Sequence, residues 1–204
     1  IMALFAAMRW PGLWPDEFKN FSPVYAIFFC AGVYFKGTRA WLLPVTLMFI
    51  SDLTINYLYY GQMGHDLVGS YMALNYMLLL LLCLIGWALR NQSRPAWLIG
   101  GSLVGSLVFY TVSNILAWFG NPAYFKTWAG LVQAFTTGEP GVYPPAWMFF
   151  SNTASSSVLF TVVIVYAIKY YGAPQAATPK PEANPAAYVR QTDCPIRMDR
   201  VVVP

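Results

Sequence analysis

Charge is what this sequence has least of. Lys and Arg together number 12 and Asp and Glu 8 in 204 residues, 10% of the chain. So few charges cannot cover a water-facing surface, which excludes an ordinary soluble domain. The net charge of +4 is spread along the chain rather than gathered into a basic stripe, which excludes a nucleic acid partner. Cysteine is also sparse: Cys30 and Cys83 lie in apolar runs, Cys194 lies in a polar stretch, and no C-x-x-C spacing offers zinc or redox chemistry. Three free thiols are expected. The single histidine, His65, cannot build a metal site without carboxylates around it, so it reads as a surface histidine and no metal is expected. The run Gly100 to Gly105 lacks the lysine of a phosphate-binding loop, and no Ser-His-Asp, Cys-His or paired-carboxylate set falls on one side of the chain. A non-enzyme is expected, and no motif names a cofactor.

Apolar residues supply 58% of the chain and aromatics 18%, which together describe an all-α integral membrane protein. About 20 apolar residues span roughly 30 Å of hydrocarbon. By that ruler a six-helix transmembrane bundle is expected. Its segments are a run ending at Trp10, a short one from about Phe21 to Phe35, then about Trp41 to Tyr60, Leu67 to Leu89, Ala96 to Phe119 and Pro145 to Tyr171. The chain opens on Ile1, so the first run reads as the far half of a longer segment. Between the fifth and sixth segments, Asn121 to Tyr143 is too polar to cross. Asn121 followed by Pro122 is an expected helix start there, with Phe125, Trp128, Leu131 and Val132 on one face of a short interfacial helix or lid.

Lys and Arg counts set the expected orientation. Lys36, Arg39, Arg90, Arg94 and Lys169 share one side, while Arg9, Lys19 and Lys126 are on the other. The richer side faces the cytoplasm, which puts both termini there in an inner membrane. Two parts are expected: the bundle, residues 1–172, and a Pro/Ala-rich cytoplasmic tail, residues 173–204.

Polar residues inside the apolar segments are the candidate site. A carboxylate at the depth of Asp52 costs about 2.5 to 3.5 kcal/mol, so it should face the bundle interior and find a partner. Asn56 lies one helical turn along. No Lys or Arg is expected at matching depth in another span, which leaves Asn75, Thr111, Asn114, Ser151, Asn152 and Ser155 as candidate partners. The group is either a helix-to-helix polar clamp or a ligand site. Small residues recur at four in Ala3 and Ala7, Gly101 and Gly105, and Ser102 and Ser106, the spacing of close helix packing.

Several motifs run through this frame: Asn20-Phe21-Ser22-Pro23-Val24-Tyr25-Ala26-Ile27, then Gly32-Val33-Tyr34-Phe35, Leu43-Pro44, Ser51-Asp52, and Asn114 with Trp118. In these the chain resembles an uncharacterised bacterial family of six-helix membrane proteins, provisionally described as transport proteins. That family is similar to the substrate-binding S components of energy-coupling-factor vitamin and metal transporters. The resemblance implies small-solute binding and docking of Ala3 and Ala7 onto a coupling subunit. Nothing matches the amino-terminal histidine motif of the metal-specific members.

Two functions compete. In one, a solute-binding uptake subunit takes its ligand from outside between the helices, where the Pro11 to Asn20 loop and the Asn121 to Tyr143 lid cover it, with Asp52, Asn56, Asn114 and Asn152 as polar contacts. In the other, a structural subunit of a larger membrane complex docks through its tail by Tyr188, Ile196 and the Val201 to Val203 end. Membrane lipids are expected around either, and other membrane subunits as partners.

Overall fold

A computed structural model describes residues 5, 8–10, 14–61, 67–139, 141 and 144–171. These hold helices and connections, with no strand among the described residues. The elements are α1 (Val24–Tyr34), α2 (Arg39–Ile55), a π-helical extension of α2 (Asn56–Tyr60), α3 (Ser70–Ala88), α4 (Pro95–Gly120), α5 (Trp128–Phe135) and α6 (Ala146–Tyr171). A 3-10 turn at Asp16–Phe18 precedes them, and Phe5, Met8 and Arg9 are helical. The chain divides into two units, Ile1–Tyr170 and Tyr171–Pro204. In the second, only Tyr171, the last residue of α6, is described. Ala3, Ala7, His65, Tyr188, Cys194 and Ile196 lie outside the described residues.

Four helical runs are long and apolar enough to cross a membrane: Arg39–Tyr59, Tyr71–Ala88, Pro95–Gly120 and Ala146–Tyr171. Large apolar side chains cover their outer faces, including Ile50, Tyr57, Met77, Leu84, Trp97, Val104 and Val163, as expected of helices solvated by lipid rather than water.

α1 differs from the expected second span. Its 11 residues extend only about 16 Å at 1.5 Å each, half the hydrocarbon thickness, and nine of them are buried. Its apolar composition comes from surrounding protein, not lipid. The motif before it explains its start: Asn20 takes a left-handed backbone (φ 68°), which asparagine tolerates. The buried Ser22 hydroxyl then accepts from the Val24 amide at 3.4 Å, and Pro23 adopts a helical φ of −68°.

Around α1 the other helices close in. Phe5, Val24, Tyr25, Phe28, Met48, Leu78, Leu79, Leu82 and Phe109 form one core cluster, and Phe29, Cys30, Val33, Leu98 and Val165 a second. α1 and α3 cross backbone to backbone at two glycines. A Cβ on Gly32 would lie 2.0 Å from the Cys83 carbonyl oxygen, and one on Gly86 2.0 Å from that of Phe29. The expected small-residue packing on α4 is internal to the unit: Gly101 meets Leu89 and Phe29, Gly105 meets Leu82, and Ser157 on α6 donates to the Ser102 carbonyl at 3.4 Å. Pro44, which has no N–H, frees the carbonyl of Ala40 four residues back, and the Cys83 thiol takes it at 3.3 Å. Cys30 and Cys83 are both free and buried.

The segment before α6 differs from the expected helix start. α5 begins at Trp128, capped by the Thr127 hydroxyl, which accepts from the Gly130 amide at 3.3 Å. Asn121 instead makes a turn, its Oδ1 accepting from the Ala123 amide at 2.9 Å. The threonine hydroxyl satisfies one of the free amides at the helix start, and Phe125 falls before the helix. Gly130 and Ala134 are buried, whereas Phe125 (78%), Trp128 (83%) and Val132 (59%) are exposed, the division expected of a helix lying at an interface.

Candidate functional site

Asp52 is buried on α2 and accepts two hydrogen bonds, from the Arg9 guanidinium (Nη2 to Oδ1) and from the Tyr76 hydroxyl at 2.6 Å (to Oδ2). Arg9 Nη1 also donates to the Met48 sulfur, and the guanidinium lies 5.6 Å from the centre of the Phe5 ring. This corrects two expectations. An arginine does reach the depth of Asp52, and none of the six expected polar residues is its hydrogen-bond partner. Arg9 reads as an end charge in the sequence, but its long stem carries the guanidinium inward to the carboxylate. Tyr76 reads as an aromatic, and its polar hydroxyl does the work.

Asn56 is a fastener. Its Nδ2 donates to the Leu67 carbonyl at 2.9 Å and to the Tyr71 hydroxyl at 3.1 Å, tying the end of α2 to the start of α3. Its own carbonyl accepts from the Gly61 amide, closing the π turn. Asn152 on α6 donates to the carbonyls of Glu17 and Lys19, the second at 2.9 Å, and so pins the 3-10 turn over the end of the bundle. Asn114 donates to the carbonyl of Tyr110, one turn back on its own helix, at 2.8 Å.

A cavity of about 1220 Å³ opens at this end, where α2 and α4 finish and α3 and α6 begin. Its floor includes Arg9, Met48, Tyr25, Leu78 and Phe109, and its polar wall Asn75, Ser113 and Asn114. Over it lie Trp14, Phe18 and Lys19 from the segment before α1, and Asn121, Tyr124 and Glu139 from the segment between α4 and α6. Of the four expected polar contacts, Asn114 lines this space, whereas Asp52, Asn56 and Asn152 are not among its lining residues. Asp52 acts on it through Arg9.

The rim is internally tied. Asn121 Nδ2 donates to Glu139 at 3.0 Å. Lys126 folds back over Trp118, 5.9 Å from the ring centre, and donates to the carbonyls of Trp118 and Asn121, the second at 2.9 Å. It thereby places a cation at the negative end of α4. Burial pushes the Tyr124 phenol above its ordinary range, and the Glu139 carboxylate pushes it the same way. The phenol therefore stays a neutral donor at physiological pH. No three His, Cys, Asp or Glu side chains converge to hold a metal among the described residues.

Residues 1–179 match a family of unknown function, DUF6580, and the chain belongs to that family. No curated protein and no solved structure matches it.

Proposed function

We propose that this chain is the solute-binding subunit of a membrane uptake system, similar to an S component, embedded in the inner membrane with both termini cytoplasmic. The observation that carries the reading is the cavity of about 1220 Å³, large enough for a small organic molecule. It has a polar wall, aromatic surroundings and two covering segments at the end poorer in Lys and Arg. The opposite end carries Lys36, Arg39, Arg90, Arg94 and Lys169, the side that stays in the cytoplasm.

The test is recovery of a native solute. The full-length protein is purified from native membranes into nanodiscs, and small molecules released on denaturation are identified by mass spectrometry. A compound approaching one equivalent is expected from the wild type. Ser113→Trp, which fills the polar wall, should lower its recovery about tenfold. Equal recovery from both proteins, or none from either, would refute the solute-binding reading.

Orientation has its own check. Ser93 lies between α3 and α4 and is exposed. In a background with the native cysteines replaced by serine, Ser93→Cys should resist an impermeant thiol reagent in intact cells and react in inverted vesicles. Labelling from outside would reverse the topology.

A further inference from the structure

We infer that the cavity binds a solute carrying one carboxylate, held by the Arg9 guanidinium, with Asp52 and Tyr76 as positioning residues behind it; the inference rests on the solute-binding reading above. The charged residues among the described lining are Arg9, Lys19 and Glu139. The Glu139 carboxylate already accepts from Asn121. Asp52 pairs with Arg9 from behind without itself lining the space, so the charged group a solute meets there is the guanidinium.

Arginine has five N–H donors in a planar fork. One on Nη2 goes to Asp52 and one on Nη1 to the Met48 sulfur, leaving one on each terminal nitrogen and the Nε–H, which is buried without a hydrogen-bond partner among the described residues. A thioether is a weak acceptor, so a carboxylate oxygen displaces it with a net gain in bond strength. The Tyr76 bond at 2.6 Å holds Asp52, and Asp52 in turn holds the guanidinium, so little side-chain freedom remains to be lost on binding. Tyr25, Leu78 and Phe109 on the floor suit an apolar body attached to that anion. Asp52 lies eight residues before Tyr60 at the end of the helical run, about 12 Å along the axis. The carboxylate must therefore be carried into the bundle rather than met at its surface.

Such an acid can come from water or from the bilayer, and two probe pairs separate these sources. Titrations on the full chain in phosphatidylcholine nanodiscs compare 2-naphthoate with 2-naphthamide, and palmitate with palmitamide. The acid should bind about tenfold tighter than its amide in at least one pair. Preference in the naphthyl pair indicates a water-borne acid and in the palmityl pair a lipid-borne one. Arg9→Gln combined with Asp52→Asn removes both charges without orphaning either, and should abolish the preference, bringing the acid down to the affinity of its amide. Acid and amide binding equally in both pairs, or a preference that survives the double variant, would overturn the carboxylate inference and leave the cavity a solute site. If neither pair binds, the inference also fails, and recovery of a native compound decides the broader reading separately. The comparison on the unmodified protein stands even if the double variant does not fold.

Discussion

Asp52→Ala should lower stability by about 3 to 5 kcal/mol, the loss seen when one member of a buried ion pair is removed. The carboxylate accepts from both Arg9 and Tyr76, and its removal leaves a guanidinium whose side chain is only 16% exposed without its counter-charge. Asp52→Asn keeps the volume and an oxygen for one donor but loses the charge, so an intermediate loss of about 1.5 to 3 kcal/mol is expected. Arg9→Met combined with Asp52→Leu removes both charges together. It should melt close to the wild type, because the desolvation cost of the pair disappears along with its attraction. Thermal unfolding followed by far-ultraviolet circular dichroism in one detergent gives the order directly. An Asp52→Ala protein as stable as the wild type would show that the pair contributes nothing to the fold.

Gly32→Ala and Gly86→Ala should each cost about 3 kcal/mol, the upper part of the usual range for overpacking. In both cases the new methyl meets main chain, the Cys83 carbonyl in one and the Phe29 carbonyl in the other, each at 2.0 Å. Ordinary contact begins at 3.4 Å, and a helix backbone cannot move aside as a side chain can, so α1 and α3 must separate along their crossing. Because both substitutions strain the same crossing, the double variant should lose less than the two single losses added together. Gly100→Ala is the control. Its Cβ meets open space, and the gain in helix propensity should stabilise the protein by about 0.5 to 1 kcal/mol. Equal melting temperatures for Gly32→Ala and Gly100→Ala would contradict this crossing.

The positions of the long helices were legible in the local chain. The expected segments 41–60, 67–89, 96–119 and 145–171 differ by no more than three residues from Arg39 to Tyr60, Ser70–Ala88, Pro95–Gly120 and Ala146–Tyr171. Their length is set by hydrocarbon thickness and their ends by proline, glycine and charge, all properties of the local chain. The depth of Asp52, and hence its need for a partner, was legible for the same reason.

Which residue meets that need depends on how the helices pack. Arg9 and Asp52 are 43 residues apart, and their meeting depends on the rotation and depth of two helices, which no local pattern encodes. Gly32 and Gly86 were equally silent, since each is a lone glycine on its own helix and the spacing that betrays small-residue packing exists only within one helix. Composition alone also made α1 look like a lipid-crossing segment. Lipid tails and a protein core both favour apolar side chains, and only the arrangement of α2, α3, α4 and α6 around it shows which of the two surrounds it.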